Sequence, residues 1–158
     1  MKFGPTASNS LPSRFLFLIS EPARAKLAAL AEPGNRPKIL SAPCVAIVAY
    51  DLDFPEAMAA IRPPDARSTA SWWPTEESRH YDGLRNSSIQ GMSLIIAART
   101  LGLDAGPMGG FNRAAVDEAF FEGGRVKSNF IIALGVGTQE GLGPRQARFE
   151  FGRVAKVL

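Results

Sequence analysis

The part of this chain best equipped for chemistry is a stretch of backbone. Gly102-Leu103-Asp104-Ala105-Gly106-Pro107-Met108-Gly109-Gly110-Phe111 carries four glycines and one proline in ten residues. Glycines at this density let the main chain approach a flat or charged group closely. Gly102 and Pro107 bar the helix-like pattern before them from continuing. A second glycine cluster, Gly135-Val136-Gly137-Thr138-Gln139-Glu140-Gly141, follows a strand-like run, as a dinucleotide-binding loop should. Glu140 stands where the third glycine belongs. Pro144 and the lack of a helical pattern remove the helix N-terminus that a pyrophosphate needs. No Walker sequence, nucleophile elbow or metal-spaced Cys/His cluster occurs. His80, the one histidine, lies between Arg79 and Tyr81 without the context of a triad or zinc site, and reads as a surface residue. No catalytic side chain and no metal ligand is assigned.

Composition narrows the class. The chain has 158 residues, 46% hydrophobic and 21% charged, and reads as one domain over residues 1–158. Its net charge of +3 is dispersed singly, as at Arg62, Arg67, Arg79 and Arg85. Without a basic stripe interleaved with aromatics, nucleic acid is not an expected partner. No apolar run approaches the roughly 18 residues of a membrane span, and Met1 to Thr6 lacks a signal core. The single cysteine, Cys44, excludes an internal disulfide and fits a cytoplasmic location.

The elements that must position the glycine-rich stretch follow from pattern. Gly4 to Pro12 reads as loop. Arg14 to Ile19 reads as a short strand. Glu21-Pro22 opens a helix with Leu27 and Leu30 on its apolar face, ended by Pro33-Gly34-Asn35. Arg36 to Leu40 reads as a polar turn. Cys44 to Tyr50 is apolar on both faces, the mark of a central strand. Asp51 to Arg85 is weakly patterned: Phe54 to Ile61 suits a short helix, Pro63-Pro64 breaks it, and Trp72-Trp73-Pro74 suits an exposed, lid-like turn. Asn86 to Leu101 is the clearest helix; Ile89, Met92, Leu94, Ile96 and Leu101 predict burial on most sides. Asn112 caps a helix over Arg113 to Phe121, Gly123-Gly124 ends it, and Phe130 to Val136 is a second central strand. Phe149 and Phe151 give the Leu142 to Leu158 tail strand spacing. Together these predict an α+β fold, a small mixed or antiparallel sheet flanked by helices.

Three motifs in order carry a family resemblance: Pro5-Thr6-Ala7-Ser8-Asn9-Ser10-Leu11-Pro12, Asn35-Arg36-Pro37-Lys38, and Gly106-Pro107-Met108-Gly109-Gly110-Phe111. The chain resembles the FMN-dependent nitroreductase superfamily over essentially its whole length. Asn86-Ser87-Ser88-Ile89-Gln90-Gly91 and Val126-Lys127-Ser128-Asn129-Phe130 make it most similar to the malonic semialdehyde reductase (3-hydroxypropanoate dehydrogenase) branch.

The resemblance implies a nitroreductase-like homodimer with FMN at the subunit interface. It implies that Pro5, Thr6, Ala7 and Asn9 reach a flavin bound largely by the other subunit. Asn35 and Lys38 would meet the pyrimidine edge of the ring, where an ammonium stabilises the reduced anion. Pro107, Met108, Gly109 and Gly110 would lie along the ring, with a backbone N–H of Gly109 or Gly110 facing N5. Many nitroreductases carry Glu where this chain has Gly109; the semialdehyde branch has a small residue there. Arg145 and Arg148 would hold the phosphate. The family pattern also implies two further helices ahead of the position of Met1, carrying arginines that complete the phosphate site. The expected activity is an FMN-dependent oxidoreductase using NADH or NADPH. One shared site would reduce a small aldehyde, nitro or quinone acceptor with ping-pong kinetics. Trp72 and Trp73 fall in the expected substrate lid. From residue types alone, Pro5 to Asn9 reads rather as an ordinary surface loop, Asn35 as a helix-ending residue and Lys38 as a solvated cation; Gly109-Gly110 also reads as a tight turn, and Arg145 and Arg148 equally as a basic tail. A second reading is a shortened, cofactor-poor dimer of this fold serving as a binding or interaction module.

Overall fold

The computed structural model describes residues 1–62, 70–140 and 142–158; the Pro63-Pro64 break, Arg67 and Gly141 lie outside them. Four strands, β1 (Ser13–Leu18), β2 (Cys44–Asp51), β3 (Asp104–Met108) and β4 (Val126–Gly135), form one sheet in the order β1-β2-β4-β3. Every neighbouring pair is antiparallel. The central pair is β2 and β4, as their two-sided apolar sequences require. Alternation along β2 sends Val45 and Ile47 to one face of the sheet and Ala46 and Val48 to the other.

The first face is covered by α1 (Glu21–Ala29), α2 (Arg36–Ser41) and α5 (Arg113–Phe120). Leu27, Ile39, Val45, Ile47, Val116 and Ile131 are fully buried there. Each such side chain contributes about 1.5–3 kcal/mol by burial. Asn112 caps α5 as expected, its Oδ1 accepting from the Ala115 N–H at 3.1 Å. Arg36 to Leu40, expected as a polar turn, is helical. Pro37 suits the first turn, and the fully buried Ile39 anchors a helix too short to show a period.

The second face is covered by α4 (Glu76–Thr100), which begins ten residues before the expected Asn86. Its start is a capping box: the Thr75 Oγ1 accepts from the Ser78 N–H at 3.1 Å, and the Ser78 Oγ accepts from the Thr75 N–H at 3.3 Å. A Cβ at Gly91 would fall 2.4 Å from the Phe130 ring, so glycine there lets the helix lie close on β4. Burial on most sides, expected for α4, does not hold. Leu94 is buried, but Ile89, Met92, Ile96 and Leu101 are 42%, 52%, 54% and 79% exposed. The helix ends at Gly102 with φ +79°, as expected.

Phe54 to Ile61 forms the short helix α3 (Phe54–Ala57) and a 3₁₀ turn. Trp72 is exposed, in keeping with a lid-like turn, but Trp73 is buried. It packs edge-on against Phe54 with ring centroids 4.9 Å apart, and its indole N–H donates to Asp82 at 2.5 Å. The strand spacing of Phe149 and Phe151 does not yield a strand. The tail carries only α6 (Phe151–Val154), and both phenylalanines are exposed. No helix among the described residues is long and apolar enough to cross a membrane.

Candidate functional site

The glycine-rich stretch divides into an edge strand and a turn. β3 pairs only with β4, which is where a proline such as Pro107, opposite Ile132, can be accommodated. Met108 turns its side chain into the core, while Pro107 is exposed. The chain then passes Gly109 and Gly110 and is fastened to the loop between α1 and α2. Ala31 and Phe111 form an antiparallel bridge, the Asn112 N–H donates to the Leu30 carbonyl at 2.9 Å, and the Glu32 N–H donates to the Gly110 carbonyl at 3.0 Å. The Asn35 side chain adds a second donor to that carbonyl, also at 3.0 Å. A Cβ on Gly110 would fall 2.8 Å from both Asn35 Nδ2 and Glu32 Oε2, whereas one on Gly109 would meet nothing within 4 Å.

Among the described residues, the N–H groups of Gly109 and Gly110 have no hydrogen-bond partner. Two adjacent donors at the end of an edge strand, with open space at Gly109, form a ready acceptor-binding edge. Lys38 lies one turn beyond Asn35 on the same side of α2, exposed and without an ion pair among the described residues. A cleft of about 420 Å³, lined by Leu30, Glu32, Arg36, Phe111 and Asn112, opens beside the fastened loops. The Arg36 Nε donates to the Ala31 carbonyl at 2.9 Å and so stiffens the cleft wall.

The structure therefore brings Asn35 and Lys38 to the same end of the first face as Pro107, Met108, Gly109 and Gly110. Pro5, Thr6, Ala7 and Asn9 are attached elsewhere. Their loop lies against α4, on the opposite face of the sheet, through the Ala7 N–H and Asn86 Oδ1 at 2.8 Å. Arg145 and Arg148 lie in the exposed tail and make no hydrogen bond or ion pair to either group among the described residues. The Arg148 guanidinium donates to the carbonyls of its own neighbours Gln146 and Ala147 at 2.9 and 3.1 Å. The tail leaves the sheet at a defined point. Asp104 at the start of β3 accepts from the Gly137 N–H at 2.8 Å and pairs with the Arg99 guanidinium. The Gly137 N–H foremost, then the Arg99 charge, hold the Asp104 carboxyl below the usual range. The Gly137 N–H is thereby committed to the Asp104 side chain.

Residue types alone missed two other features. His80 accepts or donates at Nδ1 with the Tyr50 hydroxyl, 3.0 Å away, and its Nε2 lies 3.6 Å from Glu76. Burial raises the pKa of the Tyr50 phenol, and the Asp117 charge adds to this. Asn86 is 1% exposed and anchors the Pro5–Asn9 loop; it shares the buried face of α4 with the polar Ser87 and Gln90, so its type alone gave no signal of that role.

Comparison with known proteins adds three findings. A family model described as the nitroreductase family matches residues 3–137. A Caulobacter sp. (strain K31) protein, named by provisional assignment an NADH dehydrogenase/NAD(P)H nitroreductase, is 50% identical over 158 residues, covering 100% of this chain and 80% of its own. Among solved structures, a provisionally assigned nitroreductase of Bacillus subtilis aligns with a TM-score of 0.88 at 20% identity, over 99% of this chain and 83% of its own. One from Exiguobacterium sibiricum 255-15, solved in complex with FMN, aligns with a TM-score of 0.84 at 23% identity, over 99% and 81%. These structural likenesses fix the architecture.

Proposed function

Because the chain belongs to the nitroreductase family, we propose that it is an FMN-dependent NAD(P)H oxidoreductase whose flavin is held by Pro107, Met108, Gly109, Gly110, Asn35 and Lys38. The observation that carries this reading is the pair of unpartnered N–H groups at Gly109 and Gly110, fastened in place by Asn35 and Glu32 through the Gly110 carbonyl. A flavin ring presents acceptors along its edge, and two fixed donors suit them. FMN held there would supply the hydride-transfer chemistry of an NAD(P)H oxidoreductase.

The chain's own residues bind and orient. The Lys38 ammonium places positive charge where a reduced ring becomes anionic. Asn35 holds the Gly110 turn through its bond to the Gly110 carbonyl. Arg145 and Arg148 supply guanidinium forks suited to a phosphate dianion. Gly109 leaves open space where a larger side chain would stand, in line with the small residue of the malonic semialdehyde branch, so the acceptor is a small aldehyde of that kind, with nitro and quinone compounds as further acceptors.

A second copy completes the site. Ile89, Met92 and Ile96 form a half-exposed stripe on α4, with the exposed Phe3 and Phe17 as further apolar surface. A stripe of this kind marks an interface. Burying it in a homodimer presents the Pro5, Thr6, Ala7 and Asn9 loop of one subunit to the other subunit's flavin. The unpaired Cys44 suits work in a reducing cytoplasm.

The test is the visible spectrum of the purified protein before and after incubation with FMN, followed by NADH and NADPH oxidation with malonic semialdehyde, a nitroaromatic and a quinone. A yellow protein that turns over either nicotinamide supports the reading. A protein that stays colourless and oxidises neither overturns it.

A further inference from the structure

The segment Thr6 to Leu11 is folded against local preference. Ser8, Asn9 and Leu11 have φ of +52°, +53° and +43°, values that L-residues seldom adopt. Each costs on the order of 1 kcal/mol or more, and such residues persist only where surrounding contacts over-determine them. Part of the restraint is local: the Leu11 N–H donates to Thr6 Oγ1 at 3.2 Å, and the Asn9 and Ser10 N–H groups close turns onto Thr6 and Ala7. A local turn does not fix where the segment sits on the rest of the protein. The Asn86 side chain does so at Ala7. Asn86, 1% exposed on α4, accepts the Ala7 N–H on Oδ1 at 2.8 Å and donates from Nδ2 to the Asp82 carbonyl at 2.8 Å. Its amide is thereby oriented by the helix on one side and committed to the loop on the other. Gly4 seats the same segment two turns further along α4, where a Cβ would fall 2.4 Å from Ser93 Oγ.

We infer that Asn86 is a positioning residue for the flavin site, holding the strained Pro5–Asn9 loop in the conformation that receives the cofactor. This rests on the flavin reading given above. Asn86 touches no cofactor itself; it acts by paying in advance the ordering of the loop, so that the bound conformation is already populated. Loss of the Asn86 amide releases the loop into commoner backbone conformations, and FMN then binds only a fraction of the molecules.

The experiment compares wild type, Asn86→Ala and Asn86→Asp in the full chain. It measures FMN Kd by fluorescence titration, thermal midpoint, and hydrogen exchange of the peptide spanning residues 5–12. Loss of one buried hydrogen bond predicts a rise of about tenfold in Kd for N86A, with faster exchange in residues 5–12 and unchanged exchange in β2. In N86D a protonated carboxyl reproduces both bonds, accepting from Ala7 and donating to Asp82, whereas an ionised one opposes the Asp82 carbonyl. Its FMN affinity is therefore expected near wild type at acidic pH and weaker above neutrality. This pH split stands even if N86A fails to fold, and a purely structural asparagine would not move it. Wild-type affinity in a folded N86A protein, or no pH split in N86D, overturns the inference. Failure of the wild-type chain to bind FMN overturns the flavin reading instead, and the exchange comparison then judges the loop anchor by itself.

Discussion

The side-chain amide of Asn35 donates to the carbonyl of Gly110 at 3.0 Å, an oxygen that also receives the Glu32 N–H at 3.0 Å. Two donors from one loop thus hold the Gly110 carbonyl, while the N–H groups of Gly109 and Gly110 have no partner among the described residues. Asn35→Ala removes one donor and leaves the other. The expected result is a loss of about 0.5–1.5 kcal/mol in stability, with FMN binding weakened severalfold because the Gly109-Gly110 donors are less well aimed. Asn35→Asp should be worse than Ala, since it sets a carboxylate oxygen against a carbonyl. Thermal melts and flavin titration of the two variants check both statements.

Neighbouring glycines should respond differently to the same methyl. At Gly110 a Cβ falls 2.8 Å from Asn35 Nδ2 and Glu32 Oε2, while at Gly109 it meets nothing within 4 Å. Glu32 can swing its carboxylate away; Asn35 can yield only by giving up its bond to Gly110. Gly110→Ala is expected to cost about 1–3 kcal/mol and to abolish tight FMN binding. Gly109→Ala should leave stability within about 0.5 kcal/mol of wild type. Equal melting temperatures for the two variants would count against this account of the turn.

The same loop shows what could be read from residue types and what could not. The strands β1, β2 and β4, the Asn112 cap and the Gly102 stop were legible, because each rests on local pattern. Helix α2 was not, since six residues with Pro37 and one buried apolar side chain, Ile39, give no period to detect. The early start of α4 was hidden by its charged first turns and by Gly83, and its exposed side by the very residues that suggested burial. Ile89, Met92 and Ile96 predict core in an isolated chain, and only the packing shows that they stay exposed among the described residues. Within the site, Asn35 and Gly110 were both picked out, yet the bond between them joins positions 75 residues apart and depends on the Ala31–Phe111 bridge. Asn86 was unreadable as an anchor for the same reason: its partner Ala7 is 79 residues away.

Lys38 should act on the redox balance more than on the fold. It is exposed and has no ion pair among the described residues, so Lys38→Met should leave the melting temperature nearly unchanged. Removing its charge from the reduced flavin is expected to lower the two-electron potential of bound FMN by about 30–60 mV, equivalent to one or two factors of ten. Reductive titration with a reference dye measures this. An unchanged potential would place Lys38 away from the ring.

The stripe on α4 predicts the oligomeric state. Ile96→Glu together with Met92→Lys puts charge into surface that is only half exposed in one subunit and would be buried by a second. The double variant is expected to be monomeric by light scattering, with far-ultraviolet dichroism retained. It should also lose FMN binding, because the Pro5–Asn9 loop no longer meets the other subunit's site. A dimer that survives both charges would show that a different surface joins the subunits.

Acid should loosen the point where the tail departs. The Asp104 carboxyl has its pKa lowered chiefly by the Gly137 N–H and further by Arg99. A depressed carboxylate stabilises the fold at pH values above its unfolded pKa of about 4, and that contribution disappears as pH falls through the lower folded value. Wild type should therefore lose melting temperature more steeply than Asp104→Asn between about pH 5 and pH 2. At neutral pH the order of effect is reversed, since D104N forfeits the Arg99 pair and weakens the bond to Gly137. In the wild type, the Gly137 amide resonance should titrate with an apparent pKa below that of an ordinary aspartate. A Gly137 signal that moves at the ordinary value would mean that the tail is not tied to β3 in solution.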